Sequence, residues 1–358
     1  MIETRTFSPD YAVVPGDTLQ ETIDALGLTQ RDLSDRTGLA TKTINQIIKG
    51  EAPITAETAL LLERVTGVAA AFWNNLEATY RERRARLQAK KNLEGQVTWV
   101  RRFSYPQMVK LRLVPPAKDA LERVENLVNY FGVASSTEWE KTYAELAGAA
   151  RETPRHPSDL GDLSAWLRAG EILAQRRSCA SYDRQKFIEV LHQIRRLTAD
   201  NPAAVWKQVE EYCASVGVVV VLVPELPHTH IYGFTRWLTP QKALIQLSLR
   251  YKTDDMLWFT LFHEAAHILL HGKKDVFLEC RDNRDGKEDE ASQWAAETLV
   301  PFKELKEYMA DCCGRYTVPS IRAFAQDLGV SASIVLGQLQ HRKAVHPSLH
   351  NQLKRKLQ

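Results

Sequence analysis

The sequence predicts a mainly α chain with one small α+β domain toward its C-terminus, and three observations carry that prediction. Across residues 1–80, helix-sized segments alternate with single glycines at Gly27, Gly38, Gly50 and Gly67. Residues 87–205 keep helical spacing and break only at proline-bearing turns. Residues 206–310 change character: a valine run and an alternating hairpin precede a long apolar helix.

Taken in order, residues 18–26 repeat apolar positions at helical spacing and stop at Gly27. Thr29 caps a second helix that runs to Arg36, with Gly38 at its turn. Residues 41–48 form a third helix, ended by Gly50, and residues 55–65 a fourth, capped by Thr55. A fifth continues from Ala69 into the basic run Arg81-Glu82-Arg83-Arg84-Ala85-Arg86. This makes a five-helix N-terminal bundle. A helical middle region follows, with breaks at Pro115-Pro116, at Pro154 and Pro157, and at Asn201-Pro202; residues 151–161 read as a linker.

Residues 206–215 form a helix that leads through Gly217 into a buried strand over 218–223. Residues 231–236 and 243–249 alternate around a Thr239-Pro240 turn and read as a hairpin, completing a short three-stranded sheet. Residues 254–271 form a long apolar helix. A charged loop over 282–289 precedes a helix over 290–299, stopped by Pro301, and two further helices flank Gly329. The expected domains are 1–80, 81–205, 206–341 and a basic tail over 342–358.

The 358 residues suffice for two or three domains, and 44% apolar with 25% charged residues is a globular balance. A net charge of +3 announces no nucleic-acid binder by itself. There is no signal pattern, the longest apolar run is too short to span a membrane, and five cysteines lack framework spacing. A reducing cytoplasm is the expected location.

His263-Glu264-Ala265-Ala266-His267 carries the chemistry. On a helix it sets two imidazoles one turn apart with a carboxylate between them, the way a helix grips zinc and keeps a general base beside it. His263 and His267 supply two ligands, and Glu264 can take a proton from metal-activated water. A third ligand must come from elsewhere. Glu290, opening the next helix, is the first choice, with Glu288, Asp289 and Glu297 as rivals. The apolar flanks (Leu257, Trp258, Phe259, Leu261, Phe262, Ile268, Leu269) do not resemble a solvated face. His271 reads as a C-terminal helix histidine beside Gly272, favoured by the helix dipole, with stabilisation of a tetrahedral oxyanion as its alternative role.

These residues carry a resemblance. Phe259-Thr260-Leu261-Phe262-His263-Glu264-Ala265-Ala266-His267-Ile268-Leu269, then Glu290-Ala291 through Leu299-Val300-Pro301, make residues 206–341 similar to the ImmA/IrrE metallopeptidase domain. Trp294 stands where that family usually has phenylalanine. The resemblance implies a zincin-like fold, a Zn2+ held by His263, His267 and Glu290, and Glu264 as base. It also implies a zinc-dependent endopeptidase that cleaves helix-turn-helix repressors.

Residues 11–80 hold a second constellation. Thr29-Gln30-Arg31-Asp32-Leu33, Gly38, Thr41-Lys42-Thr43-Ile44-Asn45-Gln46-Ile47 and Gly50 fit a helix-turn-helix, with Leu33, Leu39, Ile44 and Ile47 as packing. Thr41, Lys42, Thr43, Asn45 and Gln46 present a polar face able to read base edges and phosphates, and Gln30 opens the second helix toward phosphate. Six Lys/Arg against 11 Asp/Glu over residues 1–80 argue for a protein-binding bundle instead. Arg36, Lys42 and Lys49 offset this locally. Pro15-Gly16-Asp17, Ile54-Thr55-Ala56-Glu57-Thr58-Ala59 and Phe72-Trp73-Asn74-Asn75-Leu76 resemble the HigA-type antitoxins of the Cro/repressor (XRE) helix-turn-helix family. That resemblance implies operator DNA bound as a homodimer, and often a partner toxin.

The expected whole is a transcriptional regulator whose zinc endopeptidase domain cleaves a repressor-type protein or itself. The alternative is a transcription factor or toxin–antitoxin component whose peptidase-like domain senses a ligand or partner with little proteolysis.

Overall fold

The computed structural model describes residues 11–143 and 160–357, apart from 228, 230, 249, 251, 273–276 and 281–285. Most of the expected linker lies outside these. The chain divides into two compact units, Met1–Thr98 and Trp99–Gln358. Among the described residues no helix is long and apolar enough to cross a membrane. Cys179, Cys213, Cys312 and Cys313 are free thiols.

The first unit is the expected five-helix bundle: α1 (Pro15–Ala25), α2 (Gln30–Thr37), α3 (Thr41–Ile48), α4 (Ala56–Thr66) and α5 (Ala70–Glu94). Thr29 and Asp32 close a reciprocal capping box at the start of α2, each satisfying a backbone N–H of the other. Thr55 caps α4 by accepting from Thr58 N–H. Leu19, Ile23, Leu33, Ile44, Ile47, Leu62 and Trp73 form one core.

Gly16 explains the Pro15-Gly16-Asp17 motif. A Cβ there would lie 2.2–2.4 Å from the Ile48 backbone, so only glycine lets the first turn of α1 sit on the last turn of α3. Gly16→Ala is therefore expected to destabilise this unit by about 1–3 kcal/mol through forced separation of the two helices. Denaturant titration checks this, and an unchanged midpoint would rule out the close approach.

A 3-10 turn, Val97–Arg102, spans the boundary, and the second unit continues with α6 (Tyr105–Lys110), α7 (Ala120–Phe131) and α8 (Ser136–Thr142). Trp99, Phe103, Phe131 and Trp139 pack there edge to face. Then come α9 (Leu160–Arg176), α10 (Arg184–Leu197), α11 (Pro202–Ala214), β1 (Val218–Leu222), β2 (Ile231–Thr239), β3 (Lys242–Leu247), α12 (Asp254–Leu270) and β4 (Phe277–Cys280). The chain continues through α13 (Gly286–Leu299), α14 (Phe302–Cys312), α15 (Val318–Leu328) and α16 (Ala332–His341).

The sheet order is β1-β3-β2-β4, with β1 parallel to β3 and the other pairs antiparallel. The predicted hairpin is β2–β3; the edge strand β4 adds a fourth strand to the three expected. On one face Val218, Val220, Ala243, Ile245 and Leu247 pack with Trp258, Leu261, Phe262 and Ala265 of α12. α9 covers the other face: Gln246 Nε2 donates to the Trp166 carbonyl at 2.7 Å, and Trp166 Nε1 donates to the Val223 carbonyl at 2.9 Å. The result is a three-layer α/β/α stack in which α12 is enclosed along almost its whole length. Fourteen of its 17 residues are buried, which explains an apolar helix with few polar positions to spare.

Candidate metal centre and nucleic-acid face

On α12, His263 and His267 are each 1% exposed and one turn apart. Their Nε2 atoms converge at 3.0 Å. Glu288, from the first turn of α13, meets both: its Oε2 lies 3.0 Å from His263 Nε2 and its Oε1 3.4 Å from His267 Nε2. These are the three side chains whose ligand atoms cluster as a metal would require among the described residues. Ligands 2.0–2.2 Å from a tetrahedral zinc sit roughly 3.3–3.6 Å apart. Two imidazoles and a carboxylate spaced at 3.0–3.4 Å therefore match zinc in both donor type and separation.

Protonation suits the same role. Burial holds the His267 imidazole below its ordinary pKa, in the neutral form that ligates. Burial pushes the Glu288 carboxyl up, but its hydrogen-bonding contacts with His263 and His267 outweigh it and leave the group at about 2. It is ionised, as a ligand must be.

The structure brings Glu288, not Glu290, to the histidine pair. The expected third ligand, Glu290, turns 61% of its side chain to solvent, and its Oε2 lies 3.3 Å from His271 Nε2. The reason is helical phase. α13 begins at Gly286, earlier than the charged-loop reading allowed, so both glutamates are helical and lie about 200° apart around the axis. Ala291, Ala295 and Leu299 mark the buried face. Glu288 precedes Ala291 by three residues and joins that face. That spacing is the signal in the sequence that selects Glu288.

Glu264 is fully buried and points to the sheet. Thr235 Oγ1 donates to Glu264 Oε2 at 2.5 Å and reaches the Glu264 carbonyl at 3.1 Å. A Cβ at Gly233 would lie 2.2 Å from Glu264 Oε1, so the carboxylate occupies the space that glycine leaves on β2. Neither Thr235 nor Gly233 was singled out in the sequence. A glycine on the helix-facing side of a strand opposite the motif is their trace. Ser292 is a third such residue, with its hydroxyl 3.1 Å from His263 Nδ1. It follows Glu288 by four residues, on the same face of α13.

In the first unit, α3 keeps Ile44 and Ile47 in the core. Thr41 and Lys42 are exposed, and Thr43, Asn45 and Gln46 are half-buried on its outer side. Gln30 is half-buried, with its Nε2 donating to Gln20 Oε1 at 2.9 Å. Thr41 Oγ1 donates to Ser34 Oγ at 3.1 Å, tying the start of α3 to α2. The six residues expected to meet DNA thus lie on α3 and at the start of α2, which pack against each other.

Residues 19–73 match the helix-turn-helix family, and residues 213–340 match the family described as the IrrE N-terminal-like domain of the M78 peptidases. The uncharacterized HTH-type transcriptional regulator YddM of Escherichia coli (strain K12) is 33% identical over 63 residues, 18% of this chain and 67% of that protein. The chain belongs to the HTH-type transcriptional regulators. In this regulator, an IrrE N-terminal-like domain is fused behind the DNA-binding type of bundle. A solved structure, an addiction module antidote protein of a HigA family from Coxiella burnetii, is 29% identical over 24% of this chain and 92% of that one, with a TM-score of 0.22.

Proposed function

We propose that this regulator is a cytoplasmic, operator-binding protein, working as a homodimer, whose second unit is a zinc-dependent endopeptidase. The observation that carries the reading is the convergence of His263, His267 and Glu288 within one cluster of ligand atoms, with Glu264 as the next side chain along α12. His263, His267 and Glu288 would hold zinc, and the bound metal would supply Lewis acidity toward water and a peptide carbonyl. Glu264 accepts the proton of the attacking water and returns it to the leaving amine. Thr235 fixes the Glu264 carboxylate, and Gly233 gives it room. Support for the substrate comes from the ImmA/IrrE resemblance: a repressor-type protein or this chain itself. The test is a proteomic comparison of cells expressing wild type and Glu264→Gln. A repressor fragment present only with wild type is the expected result; identical proteomes would refute turnover.

One observation favours a second reading. Glu264 is fully buried beneath β2, and His263 and His267 are almost so. A site this enclosed suits a domain that senses a ligand or a toxin–antitoxin partner and transmits that state, with little proteolysis. Operator binding that responds to a partner protein, with no protein cleaved, is its signature.

For the DNA face, Lys42→Ala is expected to weaken binding about equally across operator variants and to lower the slope of log affinity against log salt by about 1. Asn45→Ala is expected instead to cost about 1–3 kcal/mol at one base position and relax the preference there. Fluorescence anisotropy at several salt concentrations distinguishes the two. An unchanged slope in Lys42→Ala removes that residue from the phosphate contacts.

A further inference from the structure

Each imidazole of the pair has a second nitrogen, and the structure gives each one a partner. His263 Nδ1 faces Ser292 Oγ at 3.1 Å. His267 Nδ1 faces His271 Nδ1 at 2.9 Å, and His271 Nε2 faces Glu290 Oε2 at 3.3 Å. The His271 side chain is only 4% exposed although it stands at the end of α12. The helix dipole alone would leave such a histidine in solvent.

The directions of these hydrogen bonds follow from one requirement. A histidine that ligates through Nε2 keeps that lone pair free, so its proton sits on Nδ1. His267 Nδ1–H then donates to His271 Nδ1. With its Nδ1 accepting, His271 carries its proton on Nε2 and donates it to the Glu290 carboxylate. On the other side, His263 Nδ1–H donates to Ser292. All three protons are assigned without conflict, and the chain ends on a solvent-exposed carboxylate.

We propose that His271 and Glu290 form an outer hydrogen-bond chain that locks the ligating tautomer and ring orientation of His267 and so sets the metal affinity of the site. They are positioning residues, and the inference rests on the metal-centre reading above. It also gives Glu290 a role that the ligand expectation did not: the terminal acceptor of the chain. Outer partners of metal-bound histidines typically contribute 10–100-fold in metal affinity.

The test is zinc affinity of the full chain, measured by competition with a chromogenic chelator, with the unfolding midpoint of each metal-free variant recorded alongside. His271→Leu is expected to bind zinc about 10–100-fold more weakly. His271→Asn places an acceptor where Nδ1 stood and is expected to retain most of the affinity. His271→Gln places its amide near the Nε2 position instead and is expected to behave like His271→Leu. The two amide variants keep the comparison valid if His271→Leu perturbs folding. Glu290→Gln is expected to lose less than His271→Leu, and Glu288→Gln more. Wild-type affinity in both His271→Leu and His271→Gln overturns the proposal. So does a Glu290→Gln loss as large as that of Glu288→Gln, which would make Glu290 a ligand. Failure of the metal-centre reading looks different: wild type binds no zinc one to one, or His263→Ala binds it equally well.

Discussion

Glu264→Gln is expected to keep its fold and its zinc and to lose about 10²–10⁴-fold in cleavage rate, the usual contribution of a positioned general base. The amide has the shape of the carboxylate, and its oxygen can still accept the Thr235 hydroxyl, which lies 2.5 Å from Oε2 in the wild type. What disappears is the capacity to hold a proton. Gly233→Ala tests the same carboxylate from outside. Its Cβ would sit 2.2 Å from Glu264 Oε1, so the side chain must leave its seat on β2 while remaining a glutamate. A rate loss in both variants, with zinc content unchanged, ties the chemistry to the place of Glu264 as well as to its acidity. The measurement is cleavage of a purified repressor, or of the chain itself, at saturating zinc. Equal rates for wild type and Glu264→Gln remove Glu264 as the base and move the weight to the sensing reading.

Local signals and long-range ones separated cleanly in this chain. Helix α3 spans Thr41–Ile48, the segment expected from spacing and from Gly50, because start and stop are both encoded within ten residues. The β2–β3 hairpin and α12 were legible for the same reason: alternation, a proline-bearing turn and a long apolar face are properties of contiguous sequence. The choice between Glu288 and Glu290 was not. It depends on where α13 starts, and the charges near Glu288 imitate a loop. The family resemblance pointed to the glutamate beside Ala291, whereas the buried stripe Ala291, Ala295 and Leu299 selects its neighbour two residues earlier. Thr235 and Gly233 were invisible for a further reason. They act on Glu264 across about 30 residues, through pairing of a strand with a helix that no local pattern specifies.

The segment after α16 is the strongest case of this kind, and it carries the second large prediction. Its charges read as a basic tail, and its backbone is bound into the second unit. Arg355 N–H donates to Asp254 Oδ1 and Asp254 N–H to the Arg355 carbonyl, both at 2.9 Å. Thr253 and Lys356 form an antiparallel bridge, and Leu357 N–H donates to the Lys252 carbonyl at 2.8 Å. Val345 and Leu353 join the main core. Lys354 Nζ lies 2.7 Å from Asp255 Oδ2, where the carboxylate is 5% and the lysine 19% exposed. An exposed pair would contribute about 0–1 kcal/mol. Here, removing the lysine strands a buried carboxylate, which typically costs about 3–5 kcal/mol. Asp255 sits in the first turn of α12, where the helix dipole favours a negative charge, so the lower end of that range applies. Lys354→Met is therefore expected to destabilise the second unit by about 3 kcal/mol, read by urea titration. Adding Asp255→Asn should recover a large part, because the stranded charge is then gone. A loss below about 1 kcal/mol in the single variant would show that the pair behaves as a surface one. The site feels this strap because His263 lies on the same helix, two turns beyond Asp255. Movement at the start of α12 shifts both histidines as a body against Glu288 on α13, so Lys354→Met should also weaken zinc binding where a tail in solvent would leave it unchanged.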